Sequence, residues 1–246
     1  MINRLFNFLD AATPTWTMLV IGVPAGLLVA ATFLSLAGWL KKSCGWRTGY
    51  SRKTFHFLVF FSVAILHALG GTPAVCIFGA MTSLVVFYAV WRGDGHPWYE
   101  AMAREKDAPK RTYFILAPYA ATLIGGMAAN VFFGPAALFG YLVAGFGDAI
   151  GEPVGTRWGR HKYRVPSLGG VVSQRSIEGS AAVFIASCVA MFVGLGLGGH
   201  FAASRIFAVV LISFLCTVAE ACSPHGWDNA TMQLLPAWLA TCWLAV

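Results

Sequence analysis

The chain has 246 residues, of which 58% are hydrophobic and only 11% charged, with a mean hydropathy of +0.69. A soluble domain carries about 25% charge, so this composition excludes a water-soluble globular protein and predicts a polytopic membrane protein. The net charge of +7 does not point to nucleic acid, because the basic residues lie in short loops between apolar stretches, where anionic lipid headgroups are their natural partners.

Residues 2–12 interleave Ile, Leu and Phe with Asn, Arg and Asp, the pattern of a short helix lying in a membrane interface. Apolar runs able to cross a hydrocarbon core of about 30 Å then follow at Trp16–Leu40, Thr54–Leu69, Pro73–Trp91, Thr112–Phe133, Ala136–Ile150, Gly179–Gly198, Ser204–Cys222 and Thr231–Val246. The predicted fold is an all-α membrane helix bundle of about eight transmembrane helices, with seven as the alternative, forming a single integral-membrane catalytic domain over 1–246. The first long run exceeds a signal-peptide core. The fifth is expected to continue past Gly151 as a broken helix, because Gly147, Gly151, Pro153 and Gly155 crowd its end. The six cysteines form no CxxC and fall mostly in apolar segments, so buried packing thiols are expected rather than a disulfide or metal framework.

Segments 41–53, 91–111 and 151–178 hold every Lys and Arg except Arg4 and Arg205. With eight spans these loops, and 223–230, fall on one side. The positive-inside rule makes that side cytoplasmic and turns both termini outward. A prokaryotic plasma membrane is the expected location.

Five of the ten acidic residues, Asp148, Glu152, Glu178, Glu220 and Asp228, lie among the apolar spans of the second half. A carboxylate at mid-bilayer costs about 2.5–3.5 kcal/mol on insertion scales, so one that persists there has a partner and usually a function. At 1.5 Å per residue, Asp148 lies about 18 Å along the fifth span and Glu220 about 24 Å along the seventh. Glu178 opens the sixth span on the same side, Asp228 precedes the eighth, and Glu152 shares a helical face with Asp148. Like charges at one depth repel, and a divalent cation such as Mg²⁺ is the economical compensation. The alternative is that an arginine pairs with each as structural glue; for Glu220 the two readings stay balanced.

Glycines at 147, 151, 155 and 159 recur every fourth residue. On a helix they form a smooth stripe for close packing; in a loop they admit phosphate to backbone N–H groups. Arg157, Arg160, Lys162 and Arg164 follow, a run suited to a polyphosphate. Ser176 is placed to cap the sixth span. Upstream, Arg52, Lys53 and His56 have the spacing of one helical face and are candidates for phosphate contact or proton transfer. Asp228-Asn229 forms a potential oxygen-ligand pair.

Four pieces in order, Arg52-Lys53-x-x-His56, Gly147-Asp148-Ala149 with Gly155…Gly159-x-x-Lys162, Ser176-x-Glu178-Gly179-Ser180, and Glu220-Ala221 with Pro224…Asp228-Asn229, resemble the membrane-embedded polyprenol kinase family of dolichol, phytol and CTP-dependent diacylglycerol kinases. The resemblance implies a membrane enzyme that transfers the terminal phosphoryl of CTP to a lipid alcohol with a divalent metal. It implies Asp148, Glu178 and Asp228 as catalytic and metal carboxylates; Glu152, whose pairing with Pro153 departs from the family pattern, is a further metal-ligand candidate only through the helical face it shares with Asp148. Arg157, Arg160 and Lys162 become nucleotide-phosphate contacts, and Arg175, where relatives often carry Lys, keeps the charge for the same role alongside Asn229. The expected partners are thus a lipid alcohol, a nucleotide and membrane lipids. Phosphatidate cytidylyltransferases carry a similar stretch, but Pro224–Asn229 lacks their paired glycines and second aspartate. An ion-coupled transporter is the alternative of another class, disfavoured by the absence of an internal repeat.

Overall fold

A computed structural model of the chain describes residues 2–166, 173–224 and 226–244. Apart from one two-stranded ribbon, the described elements are helical. Close packing divides the chain into two units, Met1–Leu116 and Ala117–Val246.

In the first unit, α1 (Ile2–Ala12) is followed by α2 (Trp16–Cys44). Thr15 caps α2 by accepting from the Met18 N–H at 3.2 Å, and Gly45 ends it in the left-handed region at φ 67°. The next helical stretch, α3 (Thr48–Arg92), covers both the second and third predicted spans. It is broken at Gly71, whose φ of 65° and ψ of −163° suit glycine alone, and Pro73 just beyond it can donate no backbone hydrogen bond. Ser62, Ile65 and Leu66 from before the break and Ala74, Ile77 and Phe78 from after it line one apolar cavity of about 500 Å³ against the first half of α2.

The two basic loops of this unit meet. Lys41 reaches Glu105 at 2.7 Å, Thr48 donates to Glu105 at 3.1 Å, and the Ser51 hydroxyl donates to the Ala101 carbonyl at 2.9 Å. The short helix α4 (Pro97–Met102) lies in the second loop. Arg111 pairs with Asp94 and Glu100, each at 2.6 Å, and Arg104 with Asp107 at 2.8 Å in a buried pair. Burial raises the Glu100 and Glu105 carboxyls, but their hydrogen bonds and the charges of Arg111 and Lys41 outweigh it and hold both below their ordinary value.

α5 (Tyr113–Phe133) leads into the second unit and stops at a turn through Gly134, with φ 51°, and Pro135. One continuous helical run follows in three parts: α6 (Ala137–Val143), a π-helical turn (Ala144–Asp148) and α7 (Ala149–Trp158). The strands β1 (Lys162–Val165) and β2 (Ser173–Ser176) pair antiparallel, with Tyr163 opposite Arg175. Segment 168–173, more apolar than expected of such a loop, lies largely outside the described residues. Helices α8 (Ile177–Leu197), α9 (Ile206–Cys222) and α10 (Asp228–Trp243) complete the unit. α8 packs on α6, α7 and α9, and α10 packs on α6 and α9.

Among the described residues, five helical stretches are long and apolar enough to cross a bilayer: Trp16–Cys44, Thr48–Arg92, Tyr113–Trp158, Ile177–Leu197 and Ala203–Cys222. The chain is an all-α integral membrane protein. The fifth predicted span does continue as helix past Gly151, and it ends at Trp158. Gly147, Gly151 and Gly155 of the glycine stripe belong to that helical run, and Gly159 caps its end with extended backbone. A Cβ on Gly151 would lie 2.5 Å from Val183 Cγ2, one on Gly155 2.9 Å from Ser176 Oγ, and one on Gly147 3.0 Å from Ser187 Oγ. Close packing against the N-terminal half of α8 is therefore what these three glycines permit. All six cysteines are free, but only Cys216 is buried; Cys44, Cys76, Cys222 and Cys242 are exposed, which corrects the expectation of packing thiols.

Candidate functional site

Asp148 is the last residue of the π-helical turn, where one extra residue per turn shifts the side chains that follow around the helix axis. Gly147 beside it lets α8 and α10 approach closely, since a Cβ there would stand 3.1 Å from Met232 Cε. Glu220 lies in the last turn of α9 and Asp228 opens α10, so the short connection between these helices brings both acids to one end. Asp148, Glu220 and Asp228 are buried, and each offers a carboxylate oxygen within 4.8 Å of the other two.

β2 adds a cation to this cluster. Arg175 Nε donates to Glu220 Oε1 at 3.0 Å and Nη2 to Asp228 Oδ2 at 2.7 Å. Its Nη1 is buried and makes no hydrogen bond among the described residues. The other Asp228 oxygen accepts the Asn229 N–H at 3.1 Å. Among these four groups the carboxylates outnumber the guanidinium, and a divalent cation would offset such an excess of buried acid. Ligands on opposite sides of an ion with bonds of about 2.1–2.4 Å lie about 4–5 Å apart, so the oxygen spacing also suits Mg²⁺ or a similar hard ion.

Glu178 is engaged elsewhere, and Glu152 is not one of the three acids whose oxygens meet. The Glu178 carboxylate binds His161, its oxygens accepting the backbone N–H at 3.3 Å and meeting Nδ1 at 2.7 Å. With the Ile177 N–H on the His161 carbonyl at 3.0 Å, the Tyr163–Ser180 hydroxyl contact at 2.6 Å and Ser176 capping Gly179 at 3.1 Å, it pins the β-ribbon to the start of α8. Glu152 is half-buried one turn beyond Asp148.

Arg157, Arg160 and Lys162 are exposed where α7 passes into β1, and Arg157 lies over the Trp158 ring at 5.2 Å. The Asn229 amide donates to the Pro118 carbonyl at 3.1 Å and the Thr122 hydroxyl at 2.8 Å, so its donors tie α10 to α5. Gln233 adds a bond to the Thr122 carbonyl at 3.1 Å. Arg52, Lys53 and His56 belong to the first unit. They lie in the opening turns of α3, Lys53 buried and the others half-buried, with the His56 ring 4.5 Å from that of Phe60.

The sequence left Glu220 open, although one signal marks it. An acid in the last turn of a helix opposes the helix dipole and needs a cation beside it, whereas Glu178 in a first turn is dipole-favoured without one.

A stretch of 104 residues is 31% identical to a phytol kinase from Synechocystis sp. (strain ATCC 27184 / PCC 6803 / Kazusa). The chain spans well under half of that kinase, since the match covers 42% of each protein. No family model matches the chain, and no solved structure matches it.

Proposed function

We propose that the chain is a membrane lipid-alcohol kinase that moves the terminal phosphoryl of a nucleotide, CTP, to the hydroxyl of a polyprenol, phytol or similar prenol. The observation that carries this reading is the convergence of Asp148, Glu220 and Asp228 beneath Arg175, in a chain that shares a long stretch with a phytol kinase. The three carboxylates are the residues that would hold Mg²⁺ or another divalent cation, whose chemistry is to neutralise phosphate charge. Arg175 Nη1 is a donor available to a phosphate oxygen, with Arg157, Arg160 and Lys162 as further contacts from the solvent side. Arg52, Lys53 and His56 are retained as phosphate candidates of the first unit.

In the transfer, the lipid hydroxyl oxygen bonds to the terminal phosphorus, the bond from that phosphorus to the β–γ bridging oxygen breaks, and CDP leaves. The hydroxyl proton passes to Asp148 or Asp228. There is little covalent chemistry for the protein to do, so rate comes from positioning and fixed charge. Reading Gly71 and Gly134 as the turns of two helical hairpins, and α10 as a final crossing, gives eight spans with the site on the cytoplasmic side of a plasma membrane.

The test incubates purified protein in detergent micelles with labelled CTP, Mg²⁺ and phytol, polyprenol or diacylglycerol. A labelled lipid monophosphate with CDP is expected. Pyrophosphate with a CDP-lipid would assign the chain to cytidyl transfer instead, and neither product with any lipid would overturn the enzyme reading.

A further inference from the structure

We infer that Arg175 is a positioning residue of the cation site: it sets the Glu220 and Asp228 carboxylates in the arrangement that receives a divalent ion. This rests on the reading of Asp148, Glu220 and Asp228 as cation ligands, and it gives Arg175 a role beyond phosphate contact. The two acids come from the end of α9 and the start of α10, and one guanidinium bridges them, Nε to Glu220 at 3.0 Å and Nη2 to Asp228 at 2.7 Å. Each acid turns one of its two oxygens to Arg175.

The arginine owes its own place to other contacts. Arg175 stands opposite Tyr163 in the ribbon, and the ribbon is fastened to α8 by the His161–Glu178, Tyr163–Ser180 and Ile177–His161 contacts. The strand therefore fixes the guanidinium, and the guanidinium fixes the acids. Glu178 acts here too, as the anchor of the strap that carries Arg175. A lysine at 175 would keep the charge but present a single ammonium, unable to hold two oxygens in a planar fork. Groups that orient metal ligands typically contribute 10–100-fold to metal affinity.

The experiment titrates Mn²⁺ into detergent-solubilised wild type, Arg175→Gln and Arg175→Lys, with no lipid or nucleotide, and follows free Mn²⁺ by electron paramagnetic resonance. Wild type should bind with a stoichiometry near one. Both variants should keep that stoichiometry while the Kd rises about 10–100-fold for Gln and by a smaller factor for Lys; the intact stoichiometry separates lost positioning from lost fold. Where Arg175→Gln yields no folded protein, Arg175→Lys carries the comparison. Unchanged or tighter Mn²⁺ binding in the variants, with wild type binding normally, overturns the positioning role and leaves the cation site standing. Failure of wild type to bind Mn²⁺ overturns both.

Discussion

Gly151→Ala tests whether the glycine stripe serves helix packing or ligand approach. The added methyl would stand 2.5 Å from Val183 Cγ2 and 3.6 Å from the Gly179 carbonyl oxygen. Val183 is buried and β-branched, so its side chain has little freedom to turn away. Overpacking of this kind costs about 1–3 kcal/mol. Alanine is the better helix former by about 1 kcal/mol, so the net loss is about 0–2 kcal/mol and a single variant decides little. Val183→Ala supplies the second corner of a cycle. It removes two buried methyls, at about 0.8 kcal/mol each, and clears the space the new methyl needs. The double variant should then be more stable than the sum of the single changes by about 1–3 kcal/mol. Equilibrium unfolding in mixed micelles measures that coupling, and the nucleotide KM is followed in parallel. Additivity within about 0.5 kcal/mol, together with a nucleotide KM that rises in Gly151→Ala and is not restored by Val183→Ala, would refute the packing role and return the glycine to phosphate binding.

Asn229→Ala should lower stability by about 1–2 kcal/mol, because it removes the two donors that join α10 to Pro118 and Thr122; unchanged unfolding with a raised nucleotide KM would contradict this. The loop clamp of the first unit carries a pH signature. Glu100 and Glu105 are held below the ordinary glutamate value of about 4.3, so the unfolded chain takes up protons first as pH falls. Their contribution is complete above that value and is lost as pH falls through the depressed folded values. The apparent Tm should therefore be insensitive to these groups from pH 7 to about 5 and decline below it. Arg111→Gln, which deletes the main partner of Glu100, should reduce the pH-dependent part of that decline.

The chain's membrane character and helical class were legible because burial in lipid demands long apolar runs, and those runs survive any detail of packing. The two turns at Gly71 and Gly134 also left a mark, each a glycine with a proline close behind it. The meeting of Asp148, Glu220 and Asp228 was only half legible. Their common depth could be counted from helix rise, but which acids face one another depends on the π-helical turn before Asp148 and on the α9–α10 connection, neither of which has a periodic signature. Glu178 looked equivalent to them by depth, yet its carboxylate turns to His161 at the foot of the ribbon. The ribbon itself was invisible, because four-residue strands in a basic, glycine-flanked loop have no alternation long enough to read. Without it, nothing in the sequence ties Arg175 to acids 45 and 53 positions away. The glycine stripe stayed ambiguous for a similar reason: spacing by four is the same string whether the partner is α8 or a phosphate.

On the proposed reading, Asp148, Glu220 and Asp228, rather than Glu152 and Glu178, form the acid centre of a lipid kinase. The decisive measurement is transfer of label from γ-labelled CTP to a prenol by Asp148→Asn, Glu220→Gln and Glu178→Gln, each shown to be folded. A loss of at least about 10²–10³-fold is expected for the first two, the scale on which removal of one preorganised electrostatic group is felt. Turnover within about tenfold of wild type is expected for Glu178→Gln, whose effect passes only through the ribbon. Full activity in Glu220→Gln, or loss in Glu178→Gln alone, would contradict that assignment.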